Sequence, residues 1–82
     1  MRFSVHYNGQ DALIDVTSWE SDIDSRIEYY AVLADHEETF INFTKRTDQF
    51  IITEVSSSAD LTKEIKSIIK KGLMDYIRNA RL

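Results

Sequence analysis

The chain has 82 residues, a net charge of −4, no cysteine and no proline, which bounds it to one small domain over residues 1–82 with neither a disulfide staple nor a thiolate zinc site. Hydrophobic residues make up 43% and aromatics 11%, ample for a packed core, and this argues against disorder. No segment reaches the ~18 consecutive apolar residues of a membrane span and the N-terminus has no apolar signal-like run; with no cysteine to oxidise, a cytoplasmic location is expected.

The first element is a hairpin. In "RFSVHYNGQDALIDV" two alternating runs flank Asn8-Gly9, the pair that best tolerates the positive φ angles of a type I′ turn. A two-residue turn predicts Tyr7 opposite Gln10, Val5 opposite Ala12, Phe3 opposite Ile14 and Met1 opposite Val16, one consistently apolar face. The other face then pairs His6 with Asp11, Ser4 with Leu13 and Arg2 with Asp15, placing opposite charges across the ladder. Trp19, ending the second strand, falls on this polar parity.

After the acidic loop "ESDIDSR" a third strand is expected over residues 27 to 34. Asp35-His36-Glu37-Glu38 then turns the chain into a fourth strand over 39 to 45, and "RTDQ" leads to a fifth over 50 to 55. A symmetric turn pairs Val32 with Ile41, Tyr30 with Phe43 and Leu33 with Phe40, so both faces of this hairpin carry apolar pairs. The register of the last strand is open, because one residue more or less in its loop exchanges the faces.

The final segment reads as one helix of about 22 residues, with Ser57, Ser58 or Asp60 as N-cap. Leu61, Ile65, Ile68, Ile69, Gly72, Leu73, Tyr76, Ile77 and Ala80 form its apolar stripe. Gly72, inside that stripe, predicts a close approach of the helix backbone to a neighbour. The expected fold class is α+β: a single antiparallel meander sheet of about five strands with one C-terminal helix across one face.

Several residue groups invite a chemical reading. His6 and Asp11 have the makings of an oriented general base, but nothing in the sequence supplies a nucleophile or second carboxylate beside them. Asp35 to Glu38 offer metal-type ligands at a place where the chain must turn. Glu20, Asp22 and Asp24 are spaced like the start of a calcium loop, yet Ile27 stands where its glycine belongs and Leu33 where its glutamate belongs. Asn42-Phe43-Thr44 is a glycosylation-type triplet inside a strand. No enzyme activity, metal or cofactor is expected.

Charge is unevenly distributed. Residues 1–58 carry −7, while residues 59–82 carry +3. Lys63, Lys66, Lys70, Lys71, Arg78 and Arg81 lie on the side of the helix away from its apolar stripe. Lys63, Lys66, Lys70 and Arg81 are therefore candidates to bind nucleic acid or another polyanion.

One helix covers one face of such a sheet. The expected second face shows Trp19, Tyr29, Leu33 and Phe40, an apolar patch of the kind that marks a contact surface. The sequence thus predicts a non-enzymatic interaction module, a homodimer or a subunit of a larger complex. Polyanion binding by the helix and carriage of a small apolar ligand under a curled sheet are the alternatives.

Overall fold

A computed structural model describes the chain apart from Asp35, Arg81 and Leu82, and apart from the side chains of His36 and Glu37. Among the described residues, strands β1 (Arg2–Tyr7), β2 (Gln10–Ser21), β3 (Arg26–Leu33), β4 (His36–Arg46) and β5 (Ile52–Ser57) precede helix α1 (Lys63–Ala80). The strands form one antiparallel sheet in the order β1-β2-β3-β4-β5. The fold is therefore an α+β meander with one C-terminal helix.

The β1–β2 hairpin has the register that its turn dictates, from Tyr7 opposite Gln10 to Arg2 opposite Asp15. Asn8 and Gly9 adopt φ angles of 52° and 73°, both in the left-handed region of a type I′ turn. Met1 adds a further rung by exchanging backbone hydrogen bonds with Val16 at 2.8 and 2.9 Å.

The β3–β4 hairpin differs from the symmetric expectation by one residue. Tyr29 pairs with Phe43, Ala31 with Ile41 and Val32 with Phe40, and an irregularity between Val32 and Leu33 brings Leu33 opposite His36. The unequal turn moves every side chain of β3 to the other face relative to the symmetric register. A second irregularity between Asn42 and Phe43 shifts β5, which begins at Ile52 rather than residue 50.

The covered face of the sheet is consequently Val5, Ile14, Val16, Tyr29, Ala31, Ile41, Phe43 and Ile52, packed against Ile69, Leu73 and Ile77 of α1. Each large aliphatic side chain taken fully from water here contributes roughly 1.5–3 kcal/mol. Gly72 allows the helix to sit low on β1: a Cβ built there would lie 2.8 Å from Phe3 Cε2 and 3.0 Å from Val5 Cγ1. Phe3 in turn packs beside Tyr76, ring centroids 5.9 Å apart.

The helix begins later than its polar lead-in suggested. Thr62 Oγ1 accepts a 3.3 Å hydrogen bond from Ile65 N, making Thr62 the N-cap. Ser58 and Asp60 serve the connection instead. The Ser58 hydroxyl accepts from Phe40 N at 3.1 Å, and the Asp60 carboxylate accepts from Thr39 Oγ1 at 3.0 Å. They tie the β5–α1 loop to β4, so the helix enters over the sheet at a fixed place.

Candidate functional site

Period-two alternation turns the remaining side chains to the face opposite α1. From β1 and β2 come Arg2, Ser4, His6, Asp11, Leu13, Asp15, Thr17 and Trp19; from β3 and β4 come Glu28, Tyr30, Val32, Phe40, Asn42 and Thr44, as the pairing of Thr17 with Tyr30, Trp19 with Glu28 and Val32 with Phe40 requires. The one helix among the described residues lies on the other side. This is the open face.

Its centre is apolar. Tyr30 and Phe40 stack with centroids 5.8 Å apart and planes at 28°. Val32 stands opposite Phe40, and Leu13, 39% exposed, is joined to Ala34 through an Ala34 N to Leu13 O hydrogen bond of 2.9 Å. Asp15, Tyr30, Val32 and Ala34 surround a shallow depression of about 310 Å³.

Its margins are polar and satisfied. The Arg2 guanidinium grips both Asp15 carboxylate oxygens, the second at 3.2 Å. That hydrogen bond holds the Asp15 carboxyl below its ordinary range and, reciprocally, raises Arg2. His6 Nδ1 and Asp11 Oδ1 lie 2.9 Å apart with both side chains exposed. Asn42 Nδ2 donates to Ser56 Oγ at 3.0 Å, and Thr44 Oγ1 donates to Glu28 Oε1 at 3.3 Å. Among the described residues, no group of three or more His, Cys, Asp or Glu side chains is placed to hold a metal. Asp35, and the side chains of His36 and Glu37 in the acidic turn, lie outside the described residues.

The four residues expected on the second face do not share one surface. Phe40 is on the open face. Tyr29, 4% exposed, and Leu33, half-buried against the core, are on the covered face; the one-residue register difference puts them there. Their places are taken by Tyr30 and Val32. Trp19, 53% exposed, does have the open-face parity, opposite Glu28, but it stands at the far end of the β2–β3 ladder, away from the Tyr30–Phe40 stack.

The basic residues of α1 also divide. Lys63, Lys66 and Lys70 line a groove of about 390 Å³ with Ser67, Phe43 and Glu54. Lys66 Nζ reaches Glu54 Oε2 and Ser57 Oγ, both at 3.3 Å, so its charge is partly engaged by β5. Lys71 is exposed outside this groove, and Arg78 lies 5.2 Å from the Phe50 ring. Arg81 lies outside the described residues.

Sequence reasoning missed one residue altogether. Lys45 points inward, 2% exposed, with Nζ donating to Arg46 O at 2.9 Å and standing 5.9 Å from the Phe50 ring. Its shared parity with Ile41 and Phe43 was the available signal. Read as a strand-end residue, Lys45 looks like a solvated charge.

No protein-family model matches the chain, and neither a curated protein nor a solved structure is significantly similar to it. No helix among the described residues is long and apolar enough to cross a membrane.

Proposed function

We propose that this protein is a non-enzymatic interaction module that associates with a second copy of itself through the open face of its sheet. The observation that carries the reading is the contiguous strip of Leu13, Tyr30, Val32 and Phe40, left outside the core in a fold whose helix covers the other side. Five strands at about 4.8 Å spacing and some 25 Å of strand length give roughly 500 Å² per copy, or about 1,000 Å² for a pair. That is the lower bound of a specific interface. A two-fold axis would set strip against strip, and margins carrying Arg2 and His6 as well as Asp11, Asp15 and Glu28 suit a self-complementary contact. A cysteine-free chain of this size is consistent with work in a reducing compartment such as the cytoplasm.

Light scattering across a dilution series tests the proposal. The expected result is a dimer whose mass falls towards one chain on dilution, and which Phe40→Glu or Tyr30→Glu converts to a folded monomer. A wild-type monomer at every concentration would refute the reading.

The groove beside α1 favours a second reading, in which Lys63, Lys66 and Lys70 grip a polyanion such as nucleic acid. It predicts retention on heparin that falls steeply with salt and is lost in a Lys63→Glu, Lys70→Glu double variant. Lack of retention by the wild-type chain would remove it.

A further inference from the structure

Between the last turns of α1 and the far ends of β2 and β3 lies a cavity of about 370 Å³, separate from the open face. Its residues include Tyr29 and Ile77, both buried in the core, and Met1, Trp19 and Tyr76, all exposed. Three of the large apolar residues that the fold leaves in water therefore converge on one concavity. The volume lies within the range of small-molecule sites.

The electrostatics of this cavity have one sign preference. Among the described residues, Glu20 is the one charged side chain that lines it, and the loop that follows carries Asp22 and Asp24. Tyr29 and Tyr76 offer aromatic rings, whose faces attract cations, while Trp19, which has the open-face parity of the β2–β3 ladder, borders the cavity at the sheet edge. Ile77 and Ala80 belong to the last turn of α1, where the backbone carbonyls present the negative end of the helix dipole. Among the described lining residues the one positive group is the α-ammonium of Met1, which donates to the Val16 carbonyl at 2.9 Å.

We propose that this cavity binds a small organic cation with an apolar body, its charge held between Glu20 and the aromatic rings. The site uses neither the Tyr30–Phe40 strip nor the lysine groove, so its failure and the failure of the dimer reading are separable.

Trp19 is the chain's one tryptophan, which makes intrinsic fluorescence a local reporter. The protein is titrated with benzyltrimethylammonium, with benzyl alcohol as a neutral aromatic and phenylacetate as an anionic one. Amide chemical shifts of Ile77 and Ala80 provide an independent readout. The expected outcome is saturable binding of the cation with a dissociation constant on the order of 1 mM or tighter, the neutral compound weaker and the anion weakest. Glu20→Gln should weaken the cation about tenfold while leaving benzyl alcohol unchanged, and Tyr76→Leu should weaken the cation several-fold. Both positions are exposed, and circular dichroism verifies that the variants fold. Equal affinity for the three probes, no saturable response in either readout, or an unchanged cation affinity in Glu20→Gln would each overturn the proposal.

Discussion

The two faces of this sheet are made by the same strands and carry similar side chains, yet one is core and the other is not. Tyr29 and Tyr30 are neighbours in sequence; Tyr29 is buried under α1 and Tyr30 stacks on Phe40 in the open. Phe43 is 1% exposed while Phe40, three residues earlier, is only half-buried. Hydrophobicity does not separate the members of either pair. Register does, because the bulged turn and the landing of the helix decide which parity loses its water.

The sharpest way to break this comparison is to truncate one aromatic on each face. Phe43→Ala is expected to cost about 3–5 kcal/mol in urea unfolding, enough to threaten the fold, whereas Phe40→Ala should cost about 1 kcal/mol or less. The measurement belongs at low protein concentration, where association contributes least. Similar losses would mean that the open face is covered within the single chain.

Gly72→Ala sharpens the covered side alone. Alanine improves helix propensity by about 1 kcal/mol, but its Cβ would have to displace Phe3, which is packed beside Tyr76, and press on Val5. A net destabilisation of about 1–2 kcal/mol is expected, partly relieved by pairing the change with Phe3→Leu. A stabilised single variant would show that the helix rides higher on β1 than described.

Thr62→Ala should lower stability by about 0.5–1 kcal/mol, while Asp60→Ala should leave helix content unchanged, since the cap is Thr62. Helix content by circular dichroism distinguishes the two.

The smallest effect belongs to the open face. Asp15 has its folded carboxyl depressed by the hydrogen bond from Arg2, so the stability it contributes is present above the unfolded value of about 3.9 and is lost as pH falls through the lower folded value. Unfolding midpoints measured between pH 7 and pH 3 should fall slightly more steeply in the wild type than in Asp15→Asn. The exposed position of the pair keeps the difference small.

These contrasts show where the fold was legible in the sequence. The first hairpin could be read to the residue because Asn8-Gly9 admits one turn and one register, and the apolar pattern agrees with it. The helix could be read from its stripe, and Gly72 from its place in it. In the second hairpin the turn contains no glycine to announce its geometry, and apolar residues on both parities give no veto to a one-residue slip. The candidate interface inherited that ambiguity: Phe40 and the exposure of Trp19 were legible, while Tyr30 and Val32 were exchanged for Tyr29 and Leu33. Lys45 was hidden for a related reason, since an ammonium at a strand end is ordinarily solvated.

The rung between Met1 and Val16 has a practical consequence for handling the protein. β2 continues to Ser21, five residues past the rung at Val16 where its pairing with the Met1 end of β1 stops. A purification tag fused ahead of Met1 would leave the sheet along that stretch of β2, towards Ser18 and Trp19, and across the mouth of the cavity that Met1 lines. Such a leader could pair with β2 as an added strand, shield Trp19 and mimic an occupant. Cleaving it, or placing the tag after the helix, is the condition under which binding data would describe the protein rather than its label.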